Sequence, residues 1–196
     1  MVEPTGTASA APTLPPDDLG RTLARARPDD AGTLPHLALA GDTYTVLLTG
    51  ADTAGRFTLI DMYVPPGGGP PPHRHDFEET FSLLEGEIEF TFRGTPTVGR
   101  AGDTINVPAN APHSFRNVSA RPARMLCVCA PAGQDEFFLA LGARVESRTA
   151  PAPPLGDVEQ TALRARALAL APRYRTEFLL PPPHDEAPHD APRAPA

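Results

Sequence analysis

Residues 70–92 read PPPHRHDFEETFSLLEGEIEFTF, and the side chains in this stretch sort by parity. Successive residues of a β-strand point to opposite faces. On that rule His73, His75, Glu79, Phe81 and Leu83 share one face, and Arg74, Asp76, Glu78 and Thr80 share the other. Further on, Ile88, Phe90 and Phe92 alternate with Glu87, Glu89 and Thr91, the period of two that marks a half-buried strand. Two imidazoles and one carboxylate therefore fall on an apolar face. Ionisable groups there are costly unless they are paired or bind a metal. A solvated loop of mixed charge has no reason to sort its residues in this way, so the stretch reads as a metal site. Glu78, next to Glu79 but of opposite parity, is expected outside as a salt-bridge partner.

The same period runs outward through the chain. Thr43–Thr49 (TYTVLLT) and Gly55–Val64 (GRFTLIDMYV) are β-rich, and shorter runs follow at TVGRA, DTINVP, HSFRNV and ARMLCVCA. Short strands with turn signals at close spacing predict an all-β fold, an antiparallel sandwich or barrel. Two helices are predicted after the strands. QDEFFLALG places Phe137, Phe138 and Leu141 on one face and stops at Gly142, and core packing is favoured for it over a lid across a barrel mouth. GDVEQTALRARALAL opens with Asp157 and Gln160 in a capping-box pattern.

The organisation follows from composition. Residues 1–35 are rich in Pro, Ala, Thr and Asp and are expected to be flexible, with a short helix conceivable over Asp17–Asp30. Residues 36–180 form the expected folded domain with its helical C-terminal extension. Residues 181–196 form a Pro-rich tail with nothing to bury, expected to be disordered. His184 and His189 in that tail are assigned to solvent, and His36 is given no role.

A chain of 196 residues suits one domain. Seventeen basic residues, all arginine, against 24 acidic ones give a net charge of −7, with the signs interspersed rather than gathered into the basic stripe a nucleic-acid partner needs. No apolar run approaches the roughly 20 residues of a membrane span, and the first residues lack a secretory-signal pattern. A cytoplasmic protein is expected. The two cysteines, Cys127 and Cys129, are poor disulfide partners on one strand and are read as small core residues in a reducing compartment.

The spacing Gly67-x5-His73-x-His75-x3-Glu79-x6-Gly86 resembles the first motif of the cupin superfamily. Downstream, Gly102-x5-Pro108-x-Asn110-x2-His113-x3-Asn117 is similar to the second. One position departs: Asn110 stands where the family pattern has glycine, and asparagine is the best substitute for glycine in a left-handed backbone conformation. The resemblance covers roughly residues 40 to 132. It implies a cupin double-stranded β-helix, a jelly-roll barrel, holding one divalent transition metal on His73, His75, Glu79 and His113. Nitrogen and oxygen donors of this kind accept Fe, Mn, Co, Ni, Cu or Zn and leave positions open for reacting molecules.

The single-domain layout and the trailing RYRTEFLLPP look like the monocupin group described as quercetin-dioxygenase-like. That resemblance implies a metal-dependent dioxygenase acting on a small hydrophobic or aromatic hydroxy-ketone or enol. Dioxygen is then a co-substrate, and Glu79 both ligand and proton acceptor. Two alternatives stand beside it: a redox-neutral isomerase, cyclase or decarboxylase, and a non-enzymatic small-molecule-binding module. Phe81, Leu83 and Phe115 share the parity of the ligands, and Ile60 and Met62, with Thr58 and Val64, extend an apolar substrate pocket. A homodimer is also expected, with TYTVLLT as its candidate edge strand.

Overall fold

The computed structural model describes residues 13–29 and 34–179. The expected Pro-rich tail, with His184 and His189, lies outside the described residues. The elements in chain order are β1 (His36–Leu39), β2 (Asp42–Leu48), β3 (Thr58–Val64), β4 (His73–His75), β5 (Glu78–Glu85), β6 (Glu87–Phe92), β7 (Thr95–Arg100), β8 (Thr104–Val107), β9 (His113–Arg116) and β10 (Ala123–Ala130). Then come α1 (Gln134–Leu141), β11 (Ala143–Arg144), α2 (Asp157–Leu170), a 3-10 turn over Ala171–Tyr174, and β12 (Thr176–Phe178). The strands form two antiparallel sheets, ordered β11-β1-β2-β3-β10-β5-β8 and β12-β4-β9-β6-β7. This is the all-β fold of antiparallel sheets that the strand spacing predicts, in the double-sheet jelly-roll form with short C-terminal helices that the cupin resemblance implies. No helix among the described residues is long and apolar enough to cross a membrane.

The inner faces of the two sheets meet in one core. Val46, Ile60, Met62, Val64, Phe81, Ile88 and Met125 are among its most buried members, and β10 alternates strictly, with Ala123, Met125, Cys127 and Cys129 inside. The helix α1 closes the core as expected: Phe137, Phe138 and Leu141 are buried, and the Phe138 ring lies 4.8 Å from that of Tyr44. It stops where Gly142 donates its N–H to the Phe138 carbonyl at 2.8 Å.

The structure corrects the sequence in four places. His73–Leu83 is not one strand, because the chain turns a corner at Asp76–Phe77 and passes from the five-stranded sheet (β4) to the seven-stranded one (β5). Parity survives the corner, since Phe77 is buried along with His73, His75, Glu79, Phe81 and Leu83. TYTVLLT is not an edge: β1 pairs along β2 and covers it, so β2 lies between β1 and β3. There is no helix within residues 13–29, whose leucines Leu14, Leu19 and Leu23 are exposed and give a helix nothing to pack against. Finally, α2 is capped one residue earlier than the Asp157–Gln160 pattern suggests. The Glu159 carboxylate accepts the Gly156 N–H at 2.9 Å.

One buried group in the scaffold is titratable near neutrality. Asp42 is fully buried, its Oδ2 accepts the Tyr44 hydroxyl at 2.9 Å, and its Oδ1 has no partner. Burial pushes its pKa up to about 7, against the Tyr44 hydrogen bond and the nearby Gly69 backbone, which pull it down. Because the folded-state value lies above the ordinary 3.8, folding favours the protonated form. That stabilisation is complete below about pH 4 and is lost as pH rises through about 7. Asp42→Asn, neutral throughout, is predicted to gain on the native protein by on the order of 3 kcal/mol between about pH 5 and about pH 8, read from urea unfolding. An offset between the two proteins that does not change with pH contradicts this.

Candidate metal centre

The two sheets supply the site jointly. β4 carries His73 and His75, and β9 sets His113 directly opposite His73 in the ladder. β5 brings Glu79 from the facing sheet. All four side chains are buried, and one ligand atom from each lies within 4.8 Å of the others. Glu79 Oε2 is 3.1 Å from His75 Nε2 and 3.2 Å from His113 Nε2, and the His73 and His113 rings are 4.3 Å apart.

Backbone carbonyls orient all three imidazoles. His73 Nδ1 faces Pro71 O at 2.9 Å, His75 Nδ1 faces Phe77 O at 3.0 Å, and His113 Nδ1 faces Ala111 O at 2.9 Å. A carbonyl only accepts, so each Nδ1 carries the hydrogen and each Nε2 is left free as a ligand. Metal-bound histidines are held in this way as a rule. Nε2 lone pairs facing a carboxylate repel it unless a proton or a cation lies between them. Three neutral nitrogens and one anionic oxygen fit a borderline divalent ion.

The electrostatics agree. Burial takes His73 down to about 4, and the neighbouring charge of His113 adds to the shift. Burial would also raise Glu79, but the hydrogen bonds and charges of His113 and His75 outweigh it and hold that carboxyl well below the usual range. For His113, burial pulls down, and the Glu79 hydrogen bond and charge win and raise it.

Neighbouring residues fix the frame. The Phe77 ring stacks on His75 at 3.8 Å, nearly parallel. Asn110 adopts φ 67, the left-handed conformation its place in the motif calls for. Its N–H donates to the His75 carbonyl at 2.7 Å. The outward residues work on the other side of the wall. Arg74 Nε donates to Glu177 Oε2 at 2.6 Å across β4–β12, and Asp76 accepts from Asn110 Nδ2 at 3.3 Å. Glu78 points outward as its parity requires. It makes no ion pair among the described residues, and instead accepts from Asn106 Nδ2 at 2.8 Å and the Ala109 N–H at 3.1 Å.

Two residues read as core fillers reach the site. Cys127 Sγ lies 3.3 Å from Glu79 Oε1, and Cys129 stands opposite Glu79 in the β10–β5 ladder. They share the inner face of β10 with Met125, and the pairing of β10 with β5 shows what they face. The residues proposed for the pocket, Phe81, Leu83, Phe115, Ile60 and Met62, lie in the core. A cavity of about 220 Å³ has Phe90, Phe92, Ile105, Val107 and His113 in its wall. Phe81 and Phe115 pack against Phe90, at centroid distances of 5.3 and 6.0 Å.

The cupin family, described as "Cupin domain", matches residues 60–129, the span that holds Glu79, all three histidines and both cysteines. The chain carries a cupin domain. Quercetin 2,3-dioxygenase of Bacillus subtilis (strain 168) is 30% identical to it over 118 residues, 59% of this chain and 35% of that protein. The chain thus spans about a third of that relative's length. A solved structure from Thermotoga maritima, titled a predicted oxalate decarboxylase, superposes with a TM-score of 0.50 at 22% identity, covering 55% of this chain and 98% of that one. The polyketide cyclase RemF from Streptomyces resistomycificus aligns with a TM-score of 0.48 at 21% identity, covering 70% and 89%. The Thermotoga likeness is one of fold alone.

Adjacent glutamates of opposite parity give a sharp test. After reconstitution with a divalent transition metal, Glu79→Ala is expected to lower affinity by at least about tenfold, whereas Glu78→Ala keeps native metal content by elemental analysis. Equal losses in the two variants contradict the assignment.

Proposed function

We propose that this cupin is a metal-dependent oxygenase acting on a small, apolar enol or hydroxy-ketone. The observation that carries the reading is a buried donor set of three oriented imidazoles and one carboxylate beside an apolar cleft whose wall includes one of those imidazoles. His73, His75, Glu79 and His113 would hold the ion, which when bound supplies Lewis-acid and redox chemistry.

The chain's own residues supply the rest. Glu79 is ionised at neutral pH and can accept the proton of an acidic enol hydroxyl on its carboxylate. Phe90, Phe92, Ile105 and Val107 receive the apolar part of the substrate and exclude water from it. The volume of about 220 Å³ falls below the ~300–1,000 Å³ usual for larger ligands. That favours a 1,3-diketone or a single-ring hydroxy-ketone over a polycyclic flavonol. The name of the Bacillus relative supports the oxygenase class, and the shorter overlap leaves its substrate open.

The test is oxygen uptake by protein loaded in turn with Fe, Mn, Co, Ni, Cu and Zn, against a panel of 1,3-diketones, hydroxy-ketones and flavonols. Uptake matched to substrate loss is expected with at least one pairing, and Glu79→Ala should cut it by about two orders of magnitude or more. Product formed equally well without oxygen would move the protein to the redox-neutral class. Tight binding without any product would make it a binding module.

A further inference from the structure

Glu79 serves two clusters at once. Its Oε2 faces the imidazoles, while its Oε1 lies 3.3 Å from Cys127 Sγ and 3.9 Å from Cys129 Sγ, with the two sulfurs 3.6 Å apart. We propose that Cys127, Cys129 and the Oε1 atom of Glu79 form a second cation site, separate from the three-histidine site and selective for a soft divalent ion such as zinc or cadmium.

Distances carry the proposal. Two metal–sulfur bonds of about 2.3 Å at the tetrahedral angle set the sulfurs about 3.8 Å apart, and one such bond with a metal–oxygen bond of about 2.1 Å sets sulfur and oxygen about 3.6 Å apart. The observed triangle, 3.6, 3.3 and 3.9 Å on its edges, matches that face of a tetrahedron to a few tenths of an ångström. The backbone already holds it, because Cys129 is the ladder partner of Glu79 and Cys127 lies two residues along on the same face of β10. Both cysteines are free and buried, and a disulfide needs its sulfurs at about 2.05 Å.

Ligand chemistry separates the two sites. Thiolates select zinc-like and softer ions over manganese, whereas imidazole and carboxylate take the borderline set. Binding balances as one divalent ion gained and two S–H protons released to the buffer. The shared carboxylate then bridges two ions, one held from the histidine strands and one from β10.

Cadmium titration of the metal-free protein tests this without reference to turnover, so its outcome is independent of the oxygenase reading. Two bound cadmium ions per chain are expected by mass spectrometry, one of them accompanied by thiolate-to-cadmium absorption in the near ultraviolet. Cys127→Ser/Cys129→Ser should lose that absorption and one equivalent, and Cys127→Ala/Cys129→Ala, which keeps the apolar packing, should do the same. His73→Ala/His113→Ala should keep the absorption. No thiolate band in the native protein, or its loss in the histidine variant, overturns the second site.

Discussion

The carboxylate of Glu79 crosses from one sheet to imidazoles carried by the other, and much of the neighbouring structure follows from holding that contact dry. Burying an ionised carboxylate costs several kcal/mol unless strong partners compensate it. Here both oxygens are engaged, one by His75 and His113 and the other by the Cys127 thiol. The corner at Asp76–Phe77 makes the arrangement feasible. It lets a run of eleven residues begin in one sheet and end in the other, so that ligands close in sequence approach the same point from opposite walls.

This contact also links metal to stability. Without a cation, the Nε2 atoms turned toward Glu79 are reconciled with the carboxylate only by imidazole protonation. A bound divalent ion replaces those protons, and its binding energy then counts toward folding. The backbone carbonyls on Nδ1, the Phe77 ring stacked against His75 and the left-handed Asn110 tied to the His75 carbonyl all preorganise the donors.

Much of this was legible in the sequence because parity is a local rule. His73, His75, Glu79, Phe81 and Leu83 could be placed on one face without knowing where the strands lie, and the motif spacing added His113 from afar. Contacts that depend on strand order were not legible. Nothing local says that β1 covers TYTVLLT, that β10 runs beside β5, or that Cys129 stands opposite Glu79. Which residues line the open cleft also depends on strand order. Phe81 and Phe115 point inward as expected and pack against Phe90, which lines the cleft. Glu78 shows a subtler limit: its outward direction follows from parity, while its partners, Asn106 on β8 and Ala109 just after that strand, lie about thirty residues away where parity cannot reach.

His73, His75, Glu79 and His113 are together placed to hold one metal ion. Anomalous diffraction at the metal edge, from crystals of the cobalt-reconstituted protein, tests it most directly. A strong peak is expected about 2.0–2.3 Å from the Nε2 atoms of all three histidines and from a Glu79 oxygen. An empty position among four well-ordered ligands, or an ion bound there without His113, would contradict it.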